Sequence, residues 1–368
     1  MTRFGSLVKL TLAISIGFLL VSGCGGSSSS SDTPVGGGET TTAYNGPGSK
    51  WDVSLSGGDF TITRRPELAS AVDMTVTGTY EDLASGFLKL TVTSSEGEDG
   101  PTQGDMAWAL EVPGYAFFLR PIEAGSEQII PMVTAGECPT SDVDANWVMV
   151  RKDSDAMADD PERDFFGAFH YDAASDTATL PVRRALGNNF QDQGGQDLVG
   201  GTCADGIMEV DDAVMYLTSN GGAIVHTGLN RPDDGSFIFA LSQKNITSVA
   251  NLDGEYAGVL FDDNLASGDK IAPVSLSCTA GMCSGSLVAD IETGELDEGS
   301  VAVNLTGTTD EFSPGLISGE IVGEGTGAMA CMADVDVLDT GRSIVSCVGQ
   351  SPGDVTKMFN VIFVSVGT

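Results

Sequence analysis

The chain has 368 residues, with 52 Asp and Glu against 17 Lys and Arg, for a formal charge of −35. Coulomb repulsion of that size opposes binding to nucleic acid or to anionic headgroups, so no nucleic-acid partner is expected. The 2 histidines leave little for a zinc or histidine-based catalytic centre, while the length suffices for two domains of ordinary size.

Arg3 and Lys9 precede an apolar run, Leu10 to Val21, interrupted only by Thr11, Ser15 and Gly17. A basic start followed by roughly 12 apolar residues reads as a signal peptide over 1–23 and is too short for a transmembrane helix. The run ends in Leu20-Val21-Ser22-Gly23-Cys24. This segment resembles the lipobox of bacterial lipoproteins. The resemblance implies a diacylglyceryl group on the Cys24 thiol, cleavage just before Cys24 and acylation of the new amine. Gly25 stands where lipoproteins retained at the inner membrane usually carry Asp, which implies an outer-membrane address in the cell envelope. The lipid would be the sole contact with the membrane, because two or more acyl chains suffice for stable anchoring. Residues 24–50 hold the lipidated Cys and a Gly-, Ser- and Thr-rich stretch with little to bury, expected to be a disordered linker reaching roughly 28 Å.

From Trp51 the sequence alternates with period 2. Trp51, Val53 and Leu55 lie on one side of a strand, as do Met74 and Val76, then Leu88, Leu90 and Val92. Met106, Trp108, Leu110 and Val112 follow the same rule. Tyr115-Ala-Phe117-Phe118-Leu119 breaks it, since adjacent Phe side chains point to opposite faces. Such a strand is either buried on both faces or presents a ligand- or partner-facing patch. Phe165 to Val182 reads as a hairpin around Asp172-Ala-Ala-Ser-Asp176. Residues 182–200, poor in apolar positions, read as a loop. Leu68–Val72 and 209–217 are the stretches compatible with a short helix.

A boundary is expected near 248, giving a β-rich domain over 51–247 and a smaller barrel-like domain over 248–368. Leu252-Asp-Gly-Glu-Tyr-Ala-Gly-Val-Leu-Phe261 resembles the opening strand of lipocalin-like up-and-down barrels, which implies such a barrel downstream. Gly78-Thr-Tyr80 echoes Gly254-Glu-Tyr256 and hints at duplication. The fold class is therefore all-β, with antiparallel hairpins forming two β-barrel or β-sandwich domains after a disordered tether.

Six cysteines follow Cys24: Cys138, Cys203, Cys278, Cys283, Cys331 and Cys347. An even number in an exported chain favours disulfides, with fifteen possible pairings. Proximity favours Cys278–Cys283 and Cys331–Cys347, leaving Cys138–Cys203. Without a CxxC pair these thiols make a poor zinc site. The chain lacks a GxSxG elbow, a GxxxxGK[ST] phosphate loop and a GxGxxG turn, so no catalytic residue and no enzyme activity are expected.

Calcium is the one cofactor the residues support. Asp153, Asp155, Asp159 and Asp160 fall in an acidic run, and Ca²⁺ takes six to eight oxygens. Asp142-Val-Asp144 begins like an EF-hand loop, but Trp147 occupies the place that needs Gly. The sequence points to a non-catalytic binding or interaction ectodomain for a small apolar ligand or an envelope protein. The alternative is a structural or protective surface protein without small-molecule ligand. A ligand-binding barrel requires an apolar cavity lined by inward strand residues, whereas a structural one is filled solid.

Overall fold

The computed structural model describes residues 40–366, apart from 67–70, 98–99, 123–128, 151–163, 186–190, 199, 211–212, 220, 229–236, 244–245, 247, 263–270, 309–314, 323–324, 336, 338–340 and 352–353. Antiparallel strands dominate the described residues, in two closed barrels with an open sheet between them in sequence.

The first barrel has eight strands: β1 (Thr40–Gly46), β2 (Ser49–Ser56), β3 (Asp59–Pro66), β4 (Met74–Asp82), β5 (Leu88–Gly97), β6 (Met106–Val112), β7 (Ala116–Pro121) and β8 (Ile130–Thr134). Each pairs with the next in sequence, and β1 closes on β8 through Tyr44↔Thr134 and Asn45↔Val133. Strand β1 thus starts at Thr40, inside the stretch expected to be linker to residue 50. The physical reason is register: β1 pairs with β2 from Thr40↔Leu55 to Gly46↔Ser49, so the backbone's ladder bonds hold a segment with little apolar content.

The β-rich stretch 51–247 holds most of this barrel and then a nine-stranded open sheet. Its strands are β9 (Val143–Val150), β10 (Asp164–Asp172), β11 (Thr177–Ala185), β12 (Gln191–Asp192), β13 (Gln196–Leu198), β14 (Ile207–Val210), β15 (Ala213–Leu217), β16 (Ala223–Gly228) and β17 (Phe237–Ser242). The order is β12-β11-β10-β9-β17-β16-β15-β14, with β13 also on β11. The expected hairpin is β10–β11. Two readings change. The stretch 182–200 contains the end of β11 and all of β12 and β13, because backbone pairing to β11 orders a polar segment. The stretch 209–217 contains the end of β14 and all of β15: Met208 and Val210 bury one side of β14, a period of two.

The second barrel comprises β18 (Gly254–Asp262), β19 (Ile271–Thr279), β20 (Met282–Asp290), β21 (Glu295–Thr308), β22 (Leu316–Val322), β23 (Thr326–Asp334), β24 (Ile344–Ser351) and β25 (Asp354–Ser365). Its seam is long, with β18 and β25 paired from Tyr256↔Ser365 to Asp262↔Phe359. The Gly-x-Tyr echo falls on the fourth strand of one barrel and the first of the other, so it does not mark equivalent positions.

The barrels and sheet belong to one compact unit, Gly38–Thr368. One apolar core runs between them. Trp108, Leu110 and Phe118 from the outside of the first barrel meet Val148, Phe239 and Tyr216 of the sheet, and Val259, Ile362 and Met332 of the second barrel. Phe118 meets Phe239 edge to face, with ring centroids 5.4 Å apart. The sheet's other face buries Trp147, Phe169, Tyr171 and Met215. Tyr115 joins all three modules: its hydroxyl lies 3.0 Å from Asp334 Oδ2 of the second barrel and bonds the Gly222 carbonyl of the sheet. One hydroxyl hydrogen serves one acceptor at a time. Lys89 Nζ to Glu292 at 2.7 Å and Asn360 Nδ2 to the Met149 carbonyl at 2.7 Å add further ties between modules.

Candidate functional site: the cavity of the first barrel

Alternation in the first barrel sends every second side chain inward. Trp51 on β2, Phe60 and Ile62 on β3, Met74 and Val76 on β4, and Leu90 and Val92 on β5 form most of one wall. Ala107, Leu119 and Ile130, from β6, β7 and β8, complete it. These side chains enclose a cavity of about 290 Å³. That lies at the lower end of the range for small-molecule pockets.

The space has a readable origin in β6. Its bulky residues Trp108, Leu110 and Val112 belong to the core between modules, while Ala107 and Ala109 face the barrel interior. Pointing the small side chains inward leaves volume that the opposite choice would fill. Gly78 on β4 meets a different need. A Cβ there would fall 2.0 Å from the Thr91 carbonyl oxygen and 2.4 Å from Phe60 Cε1, so only glycine lets β4 pass at the bulge beside β5.

The cavity opens where β3 leads to β4, β5 to β6 and β7 to β8; Arg64, Pro101, Asp105, Met106 and Pro121 line this end. Its charges are matched. Arg64 donates from Nε to Asp73 Oδ1 at 3.1 Å and from a terminal nitrogen to Oδ2 at 2.9 Å. That pairing holds the Asp73 carboxyl below the usual carboxylate range. Asp105 accepts from the Thr102 backbone N–H at 2.6 Å. Val72 and Ile122, next in sequence to Asp73 and Pro121, are 50% and 45% exposed.

Farther in, Tyr44 donates to Glu111 at 3.5 Å. Burial raises the Glu111 carboxyl; the Tyr44 hydrogen bond partly opposes this. Burial, reinforced by the nearby Glu111 charge, pushes the Tyr44 hydroxyl well above its ordinary value.

The three disulfides join Cys138 to Cys203, Cys278 to Cys283 and Cys331 to Cys347. The first ties the segment after the first barrel to the sheet. The other two bridge directly paired positions of β19–β20 and β23–β24, inside the second barrel. That barrel is packed with Tyr256, Leu260, Met329, Phe359 and Phe363, and Ile246 and Leu252 belong to the same core. Leu252 closes a 3₁₀ turn, Val249–Leu252, and its carbonyl accepts from the Tyr256 hydroxyl at 2.9 Å.

The remaining sequence candidates separate. Cys24 and the acidic residues Asp153, Asp155, Asp159 and Asp160 lie outside the described residues. Asp144, from the EF-hand-like start, sits on β9 and meets His170 Nδ1 of β10 at 2.8 Å, an exposed cross-strand pair. His226 lies on β16. Among the described residues no three His, Cys, Asp or Glu come together as a metal-ligating group, and no helix is long and apolar enough to cross a membrane. The adjacent aromatics of β7 divide as geometry demands: Phe117 enters the barrel and Phe118 the core between modules. The cavity itself was not assigned to any residues from sequence; the inward alanines of β6 were its signal.

No protein-family model and no curated protein matches the chain. Among solved structures, a double mutant of transferrin binding protein B from Haemophilus parasuis matches at 11% identity and a TM-score of 0.26, over 86% of this chain and 65% of that one. Isotype 1 transferrin binding protein B from serogroup B Neisseria meningitidis matches at 11% identity and a TM-score of 0.19, over 87% and 66%. The chain spans slightly less than two thirds of the length of either protein. Superpositions this loose establish no shared fold or ligand.

Proposed function

We propose that this protein is a lipid-anchored lipoprotein of the cell envelope, held at the outer membrane through Cys24, whose first barrel binds a small apolar molecule without catalysis. The observation that carries the binding half is the cavity of about 290 Å³, walled by Trp51, Phe60, Val76 and Leu90. Burying apolar ligand surface there supplies roughly 25 cal/mol per Å² before the costs of association. The anchoring half rests on the signal-like start and the lipobox-like Leu20 to Cys24.

Two measurements test the halves separately. Cys24→Ala should move the protein from the membrane to the soluble fraction, and unchanged membrane association would refute the anchor. In that soluble form, the neutral probe N-phenyl-1-naphthylamine should show saturable fluorescence enhancement. Ala107→Leu should abolish the enhancement without lowering the melting temperature, since the added methyl groups enter existing space. Absence of saturable binding, or indifference to Ala107→Leu, would overturn the cavity reading.

A second reading, a ligand-free structural or protective surface protein, is favoured by the buried core and two disulfides of the second barrel. Its calcium-stabilised form has a simple check. Millimolar Ca²⁺ should raise the melting temperature more than Mg²⁺ at equal ionic strength; an equal response leaves Asp153, Asp155, Asp159 and Asp160 as a solvated acidic run.

A further inference from the structure

The opening of the first barrel's cavity lies at one end of its strands, and the interior toward the other end is occupied. Pro121 and Leu119 of β7 line the cavity. Phe117, two residues farther from the opening, is fully buried with its ring 5.7 Å from that of buried Tyr44. The far end also abuts the second barrel: a Cβ at Gly86, in the β4–β5 turn, would fall 2.7 Å from Val366 Cγ2 and 2.9 Å from Ala257 Cβ. An elongated molecule therefore enters apolar part first. A charged group on it stays at the opening, because Phe60, Ile62, Val76 and Leu90 offer it no replacement for water.

Two charged residues line that opening, Arg64 and Asp105, and they differ in what they already hold. The Arg64 guanidinium is engaged by both oxygens of Asp73. Asp105 is matched by a backbone N–H, that of Thr102, rather than by a cation; the described ion pairs at this end are Arg64–Asp73 and Arg65–Asp52. Backbone bonds fix Asp105 beside the wall: its carbonyl accepts from Val92 N–H at 2.9 Å, and Val92 itself lines the cavity. Its own N–H donates to the Thr102 carbonyl at 3.1 Å. Taken with Asp73, the two lining residues leave one negative charge in excess. A carboxylate head would meet that repulsion and would have to displace Asp73 to reach Arg64. An ammonium head is attracted and breaks no existing contact.

Resting on the cavity-binding reading, we infer that the first barrel takes a small amphiphile with a single cationic amine head, its apolar body among Phe60, Val76 and Leu90 and its ammonium at the opening against Asp105. The apolar wall then supplies the affinity, and Asp105 selects the sign of the head.

The test uses the full chain in its soluble Cys24→Ala form, with octylamine, 1-octanol and octanoate displacing N-phenyl-1-naphthylamine. At neutral pH these share a chain and carry a cation, no charge and an anion. Each is compared with itself between that form and the same form carrying Asp105→Asn, so differences in hydrophobicity cancel. Asp105→Asn should weaken octylamine by about fivefold, leave 1-octanol within about twofold and strengthen octanoate. Asp59→Asn removes the same charge from the exposed start of β3, at the barrel's other end, and should leave octylamine unchanged. Equal weakening by both substitutions, or none by Asp105→Asn, would overturn the assignment to Asp105. Octanoate binding more tightly than octylamine would overturn the sign of the head. If Asp105→Asn fails to fold, the backbone amide resonance of Thr102, which donates to Asp105, decides: it should shift with octylamine and not with 1-octanol, and equal shifts would overturn the inference. Displacement by none of the three, while Ala107→Leu still abolishes probe binding, would overturn this inference alone. Probe binding that is not saturable, or is indifferent to Ala107→Leu, would defeat the cavity-binding reading itself.

Discussion

The two barrels share a strand count and a topology but differ in closure and cross-linking. The first closes through Tyr44↔Thr134 and Asn45↔Val133 and keeps open space behind Ala107. The second closes along most of β18 and β25, encloses two disulfides and packs Phe359 and Phe363 at its centre. An eight-stranded barrel has an interior just wide enough either to be filled by side chains or to hold one small ligand. In the first barrel the space lies behind small inward side chains, so side-chain size at inward positions, as well as strand number, governs the interior.

The sharpest way to break this comparison is to make the same truncation in both barrels. Phe363 is fully buried and meets Tyr256 edge to face at 5.0 Å, so Phe363→Ala should cost about 4 kcal/mol. Phe60 borders existing space, so Phe60→Ala should cost about 2 kcal/mol, because fewer packing contacts are lost. Denaturant unfolding measures both; equal losses would mean the first barrel is as tightly packed as the second.

Disulfide removal comes next. In the chain-entropy picture, replacing both cysteines of Cys138–Cys203, with a separation of 65, should cost about 4 kcal/mol. The separations of 16 and 5 give about 3 kcal/mol for Cys331–Cys347 and about 2 kcal/mol for Cys278–Cys283. Melting temperatures of the three double variants should follow that order. Reversal would show that burial inside the second barrel outweighs loop length. At the junction of the modules, Tyr115→Phe removes the hydroxyl facing Asp334 and should cost about 1–3 kcal/mol, read by the same unfolding curves.

The smallest expected effect is a pH dependence. Burial raises the folded-state value of Glu111 above that of the unfolded chain. The folded protein then binds more protons across that interval, so the Glu111 contribution to stability is present at lower pH and lost as pH rises through the raised value. Glu111→Gln should remove this decline and gain less than about 1 kcal/mol at neutral pH. A variant whose pH–stability curve parallels the wild type would show that the first barrel's interior polar pair is fully accommodated.

Much of this architecture was legible in residue order. Alternation in Trp51-Asp-Val53 and Leu88-Lys-Leu90-Thr-Val92 gave strands, because period-two burial is a local property of an extended chain, and the resemblance over Leu252–Phe261 pointed to the opening strand of the second barrel. The short separations 278–283 and 331–347 gave two disulfides, because a hairpin places such positions opposite one another. Residues 40–46 and 191–198 were misread because their order comes from backbone pairing to a neighbour, which composition does not record.

What the sequence determined by itself is therefore the strand class, the disulfide pairing and the expectation of an exported, acidic chain. Only the tertiary structure decided which face of each strand is the inside. In β6 the larger stripe, Trp108, Leu110 and Val112, looks like the barrel core, yet it is buried between modules while Ala107 and Ala109 face the cavity. Alternation specifies two faces but not their environments, since both are apolar and the choice depends on neighbours more than a hundred residues away. The space behind Ala107 exists because of that choice.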